Sequence, residues 1–155
     1  MNNKLIFIAI TLTLITINFS GCNDTNNKNE DDEKFSNWLG VSDEIISNLI
    51  NLTFNDLQNK SSEAFLWNLN TFQTRINEYL VNINKFNISE KYFEIRDIYY
   101  LGLENISRAL LLVEPYLNEN DSEYLLTLID KYFSNYFSHR QEAMTLYIEL
   151  TGDEW

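Results

Sequence analysis

FLWNLNTFQTRINEYLVNINKF, residues 65–86, places apolar side chains at Phe65, Leu69, Phe72, Ile76, Tyr79, Ile83 and Phe86. The steps alternate between four and three, the period of one helical face, and do not fit the strict alternation of a half-buried strand. Residues 92–117 repeat the rhythm at Tyr92, Arg96, Tyr99, Leu103, Ile106, Leu110, Val113 and Leu117. Residues 125–150 repeat it again at Leu125, Ile129, Tyr132, Tyr136, His139, Ala143, Leu146 and Leu150. A weaker first element runs from Ser42 to Gln58 on Ile45, Leu49 and Leu52. Further apolar residues beside each seam, among them Leu66, Tyr100, Leu128, Phe133, Phe137 and Tyr147, widen it beyond a two-stranded coiled-coil stripe. That breadth belongs to helices packed in a globular bundle.

Helix breakers are few. Beyond residue 34 the chain holds one proline, Pro115, and three glycines, Gly40, Gly102 and Gly152. Ser61 or Ser62 can cap the second helix, Ser89 the third, and Asn120 with Glu123 the fourth. Pro115 lacks a backbone N–H and disfavours helical geometry at Glu114, so the third helix is expected to end or kink there. Short connections near 59–61, 87–89 and 117–121 make neighbouring helices antiparallel. Residues 35–155 are therefore expected to form an all-α, antiparallel up-down-up-down four-helix bundle. Gly40 separates a short turn carrying Phe35, Trp38 and Leu39 from the first long helix.

Ahead of the bundle, Asn23–Lys34 contains no apolar residue and reads as an acidic, flexible tether. It follows a 15-residue apolar run, Leu5–Phe19, that is short for a membrane span and interrupted by Thr11, Thr13, Thr16 and Asn18. Lys4 precedes that run, and Phe19-Ser20-Gly21-Cys22 closes it with two small residues before the only cysteine. Residues 1–22 resemble the signal and lipobox of a prokaryotic membrane lipoprotein, with Phe19 standing where leucine is commoner. The resemblance implies a signal peptide over 1–21, lipid on Cys22, a tether over 22–34, and an exported protein held on the cell membrane or envelope. A single acyl chain binds membranes only marginally, so a stable anchor needs a second chain or a basic patch.

No basic patch is available. The whole chain carries a formal charge of −12; without residues 1–21 it has 10 Lys+Arg against 23 Asp+Glu, or −13. Such a body is repelled by an anionic headgroup layer and lacks the cations that neutralise nucleic-acid phosphates.

Catalytic and metal patterns are absent from the sequence. A di-iron bundle needs two Glu-x-x-His pairs, and His139 is the only histidine, with Glu142 after it in the reverse order. Covalent haem and structural zinc lack their cysteines, and no Gly-x-Ser-x-Gly turn presents a nucleophile. No cofactor and no metal are expected. One polar constellation stands out: Arg96 and His139 interrupt apolar seams. A hairpin centred near residue 119 sets Arg96 opposite Glu142 and Tyr99 opposite His139, and a second centred near 87–88 adds Tyr79. An ion on a seam needs a partner, so Arg96 and Glu142 are expected within ion-pair reach. The layer reads as a register-fixing structural device, or as a pocket for an anionic or aromatic ligand. The chain as a whole reads as a surface-anchored, non-enzymatic module that binds a protein or envelope component. The second reading is a solute- or signal-binding bundle with a pocket around Arg96, Tyr99 and His139.

Overall fold

The computed structural model describes residues 27–55, 63–118 and 122–155. The lipobox-like segment with Cys22, and the cap candidates Ser61, Ser62 and Asn120, lie outside the described residues. Four helices form an antiparallel up-down-up-down bundle: α1 (Asn27–Asn55), α2 (Glu63–Asn82), α3 (Phe93–Asn118) and α4 (Glu123–Thr151). Two short 3-10 turns, Ile83–Lys85 and Glu90–Tyr92, bracket the link from α2 to α3.

The seam of α2 is buried as its spacing requires: Phe65, Leu69, Phe72, Ile76, Tyr79 and Ile83 all lie in the core. On α3, Tyr92, Tyr99, Leu103, Ile106, Leu110 and Val113 join them, while Arg96 is half-exposed. The seam of α4 buries Ile129, Tyr136 and Ala143, with Tyr147 beside it, and leaves Leu150 exposed. The α3–α4 register matches a hairpin centred near residue 119. Gly102 packs on Tyr136 and His139, and Asn135 donates to Asn105 at 3.3 Å.

Other expectations are corrected. Residues 27–34 are the first two turns of α1, and the helix passes Gly40 without a break. The reason is Asp32, 4% exposed, whose carboxylate accepts bonds from the Ser89 backbone N–H and hydroxyl, both at 2.7 Å. Lys91 approaches the same carboxylate at 3.7 Å. These contacts fix a polar segment to the bundle without apolar burial. Ser89, expected as a side-chain cap, gives its hydroxyl to Asp32, and α3 starts at Phe93 after the 3-10 turn. Gln73 donates to the Leu110 carbonyl at 3.2 Å, about two helical turns beyond the Gly102 level set by a tight loop at 87–88. The 3-10 turns and the extended residues between them lengthen that connection. Pro115 neither ends α3 nor stops its last turn, which runs to Asn118. Its missing N–H removes one bond where little helix remains to be disturbed. Ser122 caps α4 by accepting from the Leu125 N–H at 3.4 Å.

Candidate functional site

The polar layer expected across α2, α3 and α4 does not assemble from its five residues. Arg96 bonds its chain neighbour Asp97, Nε to Oδ1 at 2.8 Å, and lies over the Phe93 ring at 4.9 Å. Glu142 turns to His139 on its own helix, with Oε2 at 3.8 Å from Nδ1. The Arg96–Glu142 pair is therefore replaced by two local contacts. Both side chains sit at the edge of the α3–α4 seam, where adjacent partners can be reached without desolvation. Tyr79 is buried edge-on to Trp38 at 5.7 Å, and burial pushes its hydroxyl up to about 12. Tyr99 is the member that reaches the centre of the bundle.

There a different layer forms, from Ser42 and Asp43 on α1, Tyr99 on α3, and Tyr136 and Arg140 on α4. Ser42 gives its single hydroxyl proton to the Leu39 carbonyl at 3.0 Å, so Tyr99 Oη is the donor in their 3.2 Å bond. Arg140 clasps Asp43 with Nε on Oδ1 at 2.5 Å and Nη2 on Oδ2 at 2.6 Å. This two-pronged geometry is the strong form of a carboxylate–guanidinium pair. It raises the Arg140 pKa further above its ordinary value. Tyr136 Oη is buried without a hydrogen-bond partner of good geometry. Burial, and then the Asp43 charge, push its pKa upward. Burial does the same to Tyr99, assisted by Tyr136. Both phenols are thus held neutral, and Tyr99 serves as a hydrogen-bond donor to Ser42.

Beside this layer lies an aromatic cluster. Trp38 meets Tyr79, Phe86 and Tyr99 at 5.7, 5.5 and 6.2 Å. Phe35 stacks on Trp38 and meets Tyr92, which reaches Tyr147 at 6.2 Å. Trp155 closes the set against Tyr99 at 5.8 Å and Tyr147 at 5.5 Å. Trp155 gets there because α4 stops at Gly152, whose φ of 84° is the left-handed conformation glycine adopts readily. Sequence reasoning missed Ser42, Asp43 and Arg140 because no short-range pattern links them. The available signal was the α1 row Asp32, Phe35, Leu39, Ser42, Ile46, Leu49 and Thr53, a heptad seam disguised by its three polar members.

Among the described residues no group of three His, Cys, Asp or Glu could hold a metal ion, and no helix is long and apolar enough to cross a membrane. An open depression of about 450 Å³ lies on the outer face of α2, along Thr74, Glu78, Val81 and Lys85, away from the buried layer. In comparisons with known proteins, no family model, no curated protein and no solved structure matches the chain.

Proposed function

We propose that the protein is a lipoprotein anchored through Cys22 at the cell membrane or envelope, acting as a non-enzymatic module that binds a protein or envelope component. The observation that carries the anchor is the sequence Phe19-Ser20-Gly21-Cys22 after a 15-residue apolar run and before an Asn-rich polar stretch. The placement of α1 supports a close-set module. Its first described residue, Asn27, is five residues beyond Cys22, a span of at most roughly 18 Å when extended. Exposed apolar side chains support the binding role. Leu52 near the end of α1 (55% exposed), Trp67 near the start of α2 (65%) and Tyr124 at the start of α4 (71%) share the end of the bundle away from Asn27. Others, such as Val81 (60%) and Phe93 (41%), lie at the opposite end, so the support is that of exposed apolar side chains on the surface at large.

The test is the fate of Cys22→Ser in the native host. The wild-type chain should fractionate with membranes and carry a lipid-modified mature N-terminus by mass spectrometry. The variant should appear in the medium or remain as unprocessed precursor. A wild-type protein that is water-soluble with a free Cys22 thiol defeats the reading.

A further inference from the structure

Trp155, half-buried, packs against the core differently from the other members of its cluster. The helices place the other rings; Trp155 is carried by a segment that doubles back after Gly152. Residues 152–154 are exposed, and their polar bonds are local: Gly152 N–H to the Ile148 carbonyl, and Thr151 with Asp153. Among the contacts described for residues 152–155, those with the rest of the bundle beyond the last turn of α4 are made by Trp155. Its backbone lies so close to α1 that a Cβ on Gly40 would stand 3.1 Å from the Trp155 carbonyl carbon. Only a residue without a side chain accommodates that approach comfortably.

The indole is also an imperfect occupant. Its Nε1–H is buried and has no acceptor, whereas a buried tryptophan usually finds one. Lifting the segment returns the indole N–H to water and exposes the rings of Tyr99 and Tyr147, leaving the ties between helices in place. Those ties are Asp43 with Arg140, Ser42 with Tyr99, and Asp32 with Ser89.

We propose that residues 152–155 are a strap whose indole occupies, from within, a binding site for a flat, uncharged aromatic group of indole size. The rings of Tyr99 and Tyr147, set edge-to-face with the indole at 5.8 and 5.5 Å, shape the site for a planar guest. The guest is uncharged because the groups that meet the indole, Tyr99 and Tyr147, are themselves uncharged rings. The strap and the guest compete for one place, so the apparent affinity is scaled by the fraction of molecules with the strap lifted. The device is independent of the Cys22 anchor and stands if that anchor fails.

Indole is the probe, titrated into the purified full chain and into Gly40→Ala and Trp155→Ala. Binding is read by calorimetry, and exchange of the three tryptophan indole N–H groups by nitrogen-15 NMR. Gly40→Ala pushes on the strap while favouring helix in α1. It should tighten indole binding roughly tenfold over wild type, following the rise in open population. The Trp155 N–H should exchange faster by a similar factor, with Trp38 unchanged. Trp155→Ala should bind at least as tightly as Gly40→Ala. Unchanged affinity and unchanged Trp155 exchange in Gly40→Ala overturn the proposal. So does binding by Trp155→Ala alone, which marks an engineered void of the kind that admits any small aromatic. If Trp155→Ala unfolds, the Gly40→Ala comparison still decides.

Discussion

Asp43 on α1 and Arg140 on α4 meet through two parallel hydrogen bonds of 2.5 and 2.6 Å, joining the first and last helices of the bundle. The two partners are unequally protected: the Asp43 side chain is 9% exposed and that of Arg140 30%. Removing either leaves the other without its counter-charge, but the guanidinium can turn to water and the carboxylate cannot. Arg140→Met should therefore destabilise more than Asp43→Ala. Loss of a buried pair's partner costs about 3–5 kcal/mol, and solvent access to Arg140 should bring Asp43→Ala below that range, near 2 kcal/mol. The double variant should recover part of the loss. Urea unfolding of the four chains closes the cycle, and equal single-variant costs would refute the asymmetry.

Gly102 makes a contrasting case, because its small size is not required by the contact it makes. A Cβ there would lie 3.4 Å from Tyr136 Cδ2 and 3.5 Å from His139 Cβ, ordinary van der Waals separations. Alanine is favoured over glycine within a helix by about 0.5–1 kcal/mol. Gly102→Ala should accordingly raise the urea midpoint by a few tenths to 1 kcal/mol of stability. Gly102→Leu has no such space and should lower it by about 1–3 kcal/mol through overpacking.

The parts of the fold legible in the sequence were those specified by apolar spacing. Phe65 to Ile83 predicted α2 and its buried face, and the hairpin around residue 119 set Gly102 against Tyr136. Where polar side chains occupy core positions, spacing lost its meaning. Asp32 made the start of α1 look like a tether, and Ser42, Asp43 and Thr53 weakened the seam of the helix read after Gly40, although each is buried. Arg96 misled in the opposite sense: it occupies an apolar register position, yet its long side chain carries the charge to Asp97 at the rim. Tyr99 was legible as a core residue of interest, but its partner Ser42, 57 residues away, was not. A hydrogen bond at that separation depends on the diagonal geometry of the bundle, which no local period encodes.

Asp32 tests the corrected start of α1. Its two bonds to Ser89 join the first turns of that helix to the α2–α3 connection. Asp32→Ala should cost about 1–3 kcal/mol, the range for leaving buried polar partners unsatisfied. Amide exchange should accelerate at Ser89 and over residues 28–35 before it does elsewhere. Asp32→Asn keeps an acceptor for the Ser89 N–H and should cost less. Uniform acceleration across the bundle would show that the contact contributes nothing local.

The buried phenols predict how the protein responds to alkali. Tyr99 and Tyr136 titrate well above the ordinary tyrosine value of 10, chiefly because burial opposes phenolate, and Tyr79 is pushed up to about 12. In the unfolded chain all three would release protons near pH 10. Between that pH and their folded values, the native state holds protons that the unfolded state has lost. Stability is therefore fully present below pH 10 and falls as pH rises. Each fully shifted group contributes a slope of about 1.4 kcal/mol per pH unit. Tyr99 and Tyr136 should thus both contribute to the loss of stability as pH rises above 10, with a smaller share from the more solvent-screened Tyr79. Urea unfolding at stepped pH measures this slope, and Tyr136→Phe should reduce it by about half a phenol pair. Absorbance at 295 nm should show the ionisation of Tyr99 and Tyr136 completing only as the helical signal is lost. A single transition near pH 10 for all nine tyrosines, with the helices intact, would contradict the buried layer.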